Sequence, residues 1–236
     1  MNHKLIFRAF RAVDDLESCK HFRDGHVSVL QDYGITNITT NNDEWMSNPY
    51  IYVVVAEIED THEIVGGIRV QISSKDNYLP VETAIGKMDP RIHEIVEMYR
   101  DHGGVGELCA LWNAKKVAGI GISVLLTRAG ISIINQLSFK TLMGICGSYT
   151  LKMFRNVGFV EDRSLGENGE FLYPNPDYIA WVLGIMNAET LDTADPYDKA
   201  RMESLRMQPV QTTIEDGPKH SVEIQYNLLI QKAVHE

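Results

Sequence analysis

Cysteine is scarce. The 236 residues hold three, Cys19, Cys109 and Cys146, far apart and without a CxxC pair, which argues against a disulfide framework and against a zinc site. Histidine spacing offers no metal site either. His21 and His26 are five apart, where four would put both on one helix face, and no HExxH motif or carboxylate frame surrounds them. Both are expected at the surface or behind other groups, and no metal is expected. Positive charge is in deficit: 22 Lys and Arg against 32 Asp and Glu leave a net −10, a surface that repels a phosphate backbone and speaks against nucleic acid as a partner. The longest apolar run, Ile120–Leu137, is interrupted by Thr127, Arg128, Asn135 and Gln136, and reads as a buried helix, not a membrane span. The opening residues lack an apolar stretch of signal-peptide length and carry Arg8 and Arg11, so a reducing, cytoplasmic setting is the expectation. No repeat and no Ser/Pro/Gly-rich linker divides the chain, which points to one domain over 1–236.

What is present has ordinary globular composition, 44% hydrophobic and 23% charged, enough to bury a core. Residues 4–11 read as an opening strand, and Asp14 or Asp15 as the N-cap of a helix running through Phe22 to Leu30. The Asn- and Thr-rich stretch Tyr33–Pro49 reads as a loop. Two β-branched runs, Ile51–Ile58 and Ile64–Ile72, joined by a polar turn, spell a hairpin. A helix is expected over 90–101, a strand over Val105–Trp112, and the apolar helix from Ile120 to about Ser138. After a short apolar stretch at 140–146, a helix around Tyr149–Val157 closes at Gly158. A strand at Tyr178–Ile185, a charged helix at Pro196–Arg206 and a last strand at Ser221–Leu229 complete a mixed α/β layout.

Lys116-Val117-Ala118-Gly119-Ile120-Gly121 lies between the strand at 105–112 and the apolar helix. Glycines in such a turn let backbone N–H groups approach an anion, a pyrophosphate for example, at the positive end of a helix. The same glycines would also serve a tight turn and close helix–sheet packing alone.

With Phe154-Arg155-Asn156-Val157-Gly158-Phe159 downstream, residues 105–159 resemble the GNAT acyltransferase superfamily. In that family a fourth strand leads into a basic-or-Gln-x-x-Gly-x-Gly/Ala loop that holds the acyl-CoA pyrophosphate. A helix, a fifth strand and a helix ending in aromatic-x-x-x-Gly-Phe follow. The resemblance implies a mixed α/β (α+β) fold: a central twisted mixed sheet flanked by helices, with 160–236 as a C-terminal extension. It implies acyl-CoA or acetyl-CoA as co-substrate. Lys116, where the family usually has Arg or Gln, would hold it together with Val117, Ala118, Gly119, Ile120 and Gly121, and Leu111, Trp112, Asn113 and Phe154 would complete its contacts.

Phe22-Arg23, Asp43-Glu44 and Val65-Gly66-Gly67-Ile68-Arg69 look like the branch that contains acyl-homoserine-lactone synthases and N-acyl amino acid synthases. That branch takes long acyl chains from acyl carrier protein or CoA. In it an Arg follows the hairpin Gly, as Arg69 does, and a Glu opens the fourth strand, as Glu107 does. Leu108-Cys109-Ala110-Leu111 stands where lactone synthases carry a Ser/Thr-Arg pair, so a lactone product is not implied. Phe154 stands where many acetyltransferases have a Tyr that protonates the departing thiolate, which leaves that role to another group such as Tyr149.

Direct attack of an amine on a thioester needs a base, an oxyanion donor and a held thioester. Glu107 is the candidate base, since a carboxylate desolvated on an apolar strand has a raised pKa; otherwise it points to solvent at a strand end. A backbone N–H within Leu111–Asn113 would meet the carbonyl oxygen. Arg69 would pair with the carboxylate of an amino-acid-like acceptor or with Asp43, or form a structural ion pair; Arg23 and Asp43 are substrate-binding candidates with the same ambiguity. The apolar helix is core or also lines an acyl tunnel, and Cys109 is expected to be structural. Docking an acidic carrier protein would need a basic patch from Lys115, Lys116, Arg128, Lys140, Lys152 and Arg155.

The expected activity is transfer of an acyl group from acyl-CoA or acyl carrier protein to a primary amine, with that of an amino acid as one candidate. The competing readings are a short-chain acetyl-CoA-dependent N-acetyltransferase of a small amine and a non-catalytic CoA-binding module of the same shape. The C-terminal part would cover the acceptor site or form a homodimer.

Overall fold

The computed structural model describes residues 4–35 and 42–231. Its strands are β1 (Leu5–Arg11), β2 (Ile51–Ile58), β3 (Ile64–Ile72), β4 (Val105–Asn113), β5 (Thr141–Gly147), β6 (Val160–Glu161), β7 (Glu170–Leu172), β8 (Ile179–Ile185), β9 (Val210–Asp216) and β10 (Ser221–Asn227). They form one mixed sheet in the order β6-β8-β5-β4-β3-β2-β1-β10-β9, with β7 also on β8. Strands β1 and β10 run parallel, as do β4 and β5, and the other pairs are antiparallel.

Local chemistry sets the helix ends. The Asp15 carboxylate accepts the Ser18 N–H at 3.0 Å and caps α1 (Leu16–Asp32). Asp195 accepts the Tyr197 N–H at 3.0 Å ahead of α6 (Pro196–Met207), with Pro196 in the first turn, where its missing N–H costs nothing. Gly158, at φ 108°, closes the turn after α5 (Leu151–Asn156).

Strand alternation distributes the core. Val53 and Val55 of β2 pack with Cys19 and Phe22 of α1 on one face, while Val54, Ile68 and Val70 join α4 (Ile122–Ser132) and α6 on the other. Helices α2 (Pro80–Ile85) and α3 (Arg91–Asp101) bring Ile85, Ile92 and Val96 onto Val105, Met143 and Val182. The apolar helix is shorter than its hydrophobic run suggests: α4 ends at Ser132 and a 3₁₀ turn occupies Ile133–Gln136. Its broad apolar surface is consumed between the sheet and Met202 and Leu205 of α6, which makes it core.

Helix α2 and strands β6, β7 and β9 carry little pattern in the sequence, being short or, for β9, mostly polar. The stretch expected as a loop at Tyr33–Pro49 includes 36–41, which lie outside the described residues, and a 3₁₀ turn at Glu44–Ser47 that buries Trp45 and Met46. The C-terminal elements are tied to α4 by a buried ionic cluster. Arg128 Nε donates to Asp198 at 2.6 Å, Arg128 Nη1 lies 3.7 Å from Glu215, and Glu215 also takes Arg201 at 2.5 Å and the Tyr226 hydroxyl at 3.2 Å. Among the described residues no helix is long and apolar enough to cross a membrane, and no group of three or more His, Cys, Asp and Glu side chains could hold a metal ion.

Candidate active site

The site begins with one extra residue in β4. Its register against β3 pairs Arg69 with Cys109 but Gly67 with Trp112, so β4 bulges there, with Ala110 in the left-handed region at φ 52°. Parallel pairing with β5 covers only Val105, Gly106 and Glu107, while β5 continues along β8 as far as Gly147. The two strands therefore part after Glu107, and a cavity of about 400 Å³ opens between them. Ile68, Leu108, Ile145 and Phe154 supply apolar wall, and Leu111, Trp112 and Asn113 line the β4 side. Beyond this pairing no register joins β4 to β5, so the Cys109–Asn113 stretch of β4 lines the cavity on that side instead of a neighbouring strand.

Glu107 lines this cavity and is fully buried. Its Oε2 accepts the Val81 N–H at 2.7 Å, whereas Oε1 has no partner among the described residues. Desolvation pushes its pKa up to about 8, against the opposing pull of the Val81 N–H and of Arg69. A strand-end carboxylate in solvent is thereby excluded.

Arg69 shares this face of the sheet and is 1% exposed. Its guanidinium stacks 4.5 Å from the Trp45 ring centroid and lies 3.7 Å from the Cys109 sulfur, and its Nε has no partner among the described residues. No carboxylate among the described residues is within ion-pair distance of it. It stands behind the cavity wall formed by Cys109 and His26. Burial, helped by Arg69, lowers His26 to about 4, so this imidazole is neutral. Burial pushes the Cys109 thiol up to about 11, which keeps it protonated and unlike a nucleophile.

Beyond β4, Lys115–Val117 form a 3₁₀ turn, and Gly119 and Gly121 take φ of 87° and 85°, conformations that favour glycine. The N–H groups of Gly119, Ile120, Gly121, Ile122 and Ser123 have no acceptor among the described residues. Five consecutive open donors at the start of α4 suit the phosphates of CoA. The Ser123 hydroxyl donates to Asn113 Oδ1 at 2.7 Å, and both residues line the cavity, which makes cavity and loop contiguous.

The structure thus brings Glu107, Leu111, Trp112, Asn113, Tyr149 and Phe154 to one cavity, with Tyr149 exposed at its edge. Arg23 and Asp43 do not join them. They pair with each other beside a separate, shallow hollow on the outer side of α1, because position 23 faces away from the sheet that Phe22 and His26 face. Asp43 is accordingly not the partner of Arg69. Lys116 is paired with Glu63, and Val117 is buried in the core. Of the residues named for a basic patch, Lys115 pairs with Asp32, Lys116 with Glu63 and Arg155 with Glu161, and Arg128 is buried. His26, expected at the surface or behind other groups, forms cavity wall; its spacing four residues after Phe22 was the available signal.

No protein-family profile and no curated protein sequence matches the chain. Solved structures do. The structure of FeeM, an N-acyl amino acid synthase from uncultured soil microbes, superposes with a TM-score of 0.61 at 10% identity, covering 84% of this chain and 98% of that one. The CoA-dependent acyl-homoserine lactone synthase BjaI, solved with SAM and isopentyl-CoA, gives 0.52 at 14% identity, covering 92% and 95%. An acyl-CoA N-acyltransferase from Pseudomonas aeruginosa gives 0.54 at 12% identity, covering 77% and 99%. The fold is that of the GNAT-type acyltransferases. In architecture this chain is similar to FeeM over nearly the whole of FeeM's length.

Proposed function

We propose that the protein is an N-acyltransferase that moves an acyl group from acyl-CoA to a primary amine carrying a carboxylate, such as an amino acid. The observation that carries this reading is the buried Glu107 carboxyl, with one oxygen unpartnered, at the point where β4 and β5 separate. In this reading the neutral amine nitrogen attacks the thioester carbonyl carbon, its proton passes to Oε1 of the ionised form of Glu107, and the C–S bond breaks to release CoA as a thiolate, which takes a proton back from Glu107 or from solvent. Backbone N–H groups freed along β4 past the bulge stabilise the oxyanion, and the open N–H groups of 119–123 hold the diphosphate.

Acceptor charge follows from Arg69. A guanidinium buried without an ion-pair partner among the described residues creates a positive field at the cavity wall, which favours an anionic group in the cavity. Cavity volume bears on the donor: about 400 Å³, with apolar walls at Ile68, Leu108, Ile145 and Phe154, supports an acyl chain longer than acetyl.

The test is thiol release from acetyl-CoA and from a long-chain acyl-CoA, each with pooled amino acids, for wild type and Glu107→Gln. Turnover faster with the long chain, falling about 100-fold in the variant while CoA affinity is kept, supports the reading. Equal turnover in the variant would remove Glu107 as base. CoA binding without thiol release from any amine would favour a binding module.

A further inference from the structure

The turn joining β9 to β10 sits on the loop that opens α4. The Lys219 N–H donates to the Gly119 carbonyl at 3.1 Å. A Cβ placed on Gly119 would meet Lys219 Cδ at 2.9 Å and Cε at 3.5 Å, so the lysine stem lies across this glycine. Pro218 abuts Gly121, its Cδ 3.1 Å from where a Cβ would be. Gly217 presses against Ile120 so closely that a Cβ at 217 would stand 2.1 Å from the Ile120 carbonyl oxygen. That approach demands glycine. A Gly217 N–H to His220 carbonyl bond of 3.2 Å closes the turn and seats Lys219 beside the open N–H groups of 119–123.

The cations adjacent to the loop in sequence are already engaged, Lys116 with Glu63 and Lys115 with Asp32. Lys219 has no carboxylate within ion-pair distance among the described residues. On a chain of net charge −10, an anion arriving at this loop needs a local cation to offset the general repulsion.

We propose that Lys219 is a ligand-binding residue for a diphosphate held on the N–H groups of Gly119–Ser123. The proposal rests on the reading of this loop as the CoA site, and adds that the cation comes from the C-terminal hairpin instead of from Lys116. The N–H row donates to phosphate oxygens, and the ammonium compensates their charge. The ligand class is a diphosphate diester such as the one in CoA. Carrier-bound phosphopantetheine, with a single phosphodiester, gains less from the same cation.

The experiment is calorimetric titration of the full chain with CoA, with inorganic pyrophosphate and with pantetheine, comparing wild type, Lys219→Gln and Lys219→Arg. Lys219→Gln is expected to weaken CoA and pyrophosphate about 10-fold, to leave pantetheine unchanged, and to lower the salt dependence. Lys219→Arg keeps most of the affinity. In ¹⁵N–¹H spectra, pyrophosphate moves the amide signals of Gly119–Ser123 in wild type and moves them less in Lys219→Gln at the same concentration. Unchanged CoA affinity in Lys219→Gln, or equal loss for pantetheine, overturns the proposal. Tighter CoA binding in Lys219→Gln also overturns it, by showing that the hairpin covers the loop. Wild type that binds neither CoA nor pyrophosphate would instead remove the CoA reading itself, and this proposal with it.

Discussion

The Val81 N–H donates to Glu107 Oε2 at 2.7 Å, so one oxygen of the buried carboxyl satisfies an open donor in the first turn of α2 while the other has no partner among the described residues. The same turn is held a second time: Glu82 Oε2 accepts the Leu79 N–H at 2.7 Å, and its Oε1 lies 3.1 Å from His93 Nδ1. Two buried carboxyl groups from different elements therefore fix the start of α2, and through it the position of Glu107.

The titration of Glu107 sets the sign of a stability change with pH. Its folded pKa, about 8, lies above the ordinary carboxylate value of 4.5. Between those values the folded chain holds a proton that the unfolded chain has released, so stability falls as pH rises from about 4.5 through about 8. Glu107→Gln abolishes this dependence. Thermal melting at intervals from pH 5 to pH 9 is expected to show the variant gaining on wild type as pH rises; parallel curves would mean that Glu107 ionises normally.

Arg69 offers a test that separates recognition from architecture. Arg69→Met preserves apolar bulk against Trp45 while removing the buried charge. KM for a carboxylate-bearing amine is expected to rise about 10-fold, with KM for the decarboxylated amine unchanged. The His26 pKa, followed by NMR, is expected to rise from about 4, since Arg69 contributes to lowering it. Equal losses for both amines would assign Arg69 a structural role only.

The Arg128–Asp198 pair binds α4 to α6 at 2.6 Å inside the protein. Asp198→Ala leaves a buried guanidinium with Glu215, already shared with Arg201, at 3.7 Å. The expected cost is about 3 kcal/mol in urea unfolding. Replacing both partners, Arg128→Met with Asp198→Leu, is expected to recover most of it, because an apolar pair of similar volume avoids the desolvation penalty. A double variant as unstable as the single one would argue that the pair sets helix geometry.

Much of the fold is legible in short-range patterns. The β-branched runs at 51–58 and 64–72 become β2 and β3, Asp15 and Asp195 cap the helices that follow them, and Gly158 ends α5 where its left-handed conformation is needed. Each depends on neighbours a few residues away, and so does the pairing of an apolar strand with a Gly-rich loop and a helix that marks 105–132. The acidic balance and the lack of metal-ligand spacing are likewise properties of the sequence alone.

The site itself depends on contacts between distant segments. The extra residue at Ala110 becomes a bulge only when β4 is laid against β3, and the cavity exists because β5 then follows β8 instead of β4. Nothing near Arg23 in the sequence separates it from Arg69; the tertiary structure does, with α1 turning Arg23 outward to Asp43 while Arg69, on β3, is buried against Trp45. Lys116, beside the glycines in sequence, is drawn to Glu63, while Lys219 reaches Gly119 because β10 returns along β1. Charge type and helical or strand period are encoded residue by residue, and they determined the elements. Which charges meet, and where two strands separate, is decided by sheet order and close packing, which only the tertiary structure supplies.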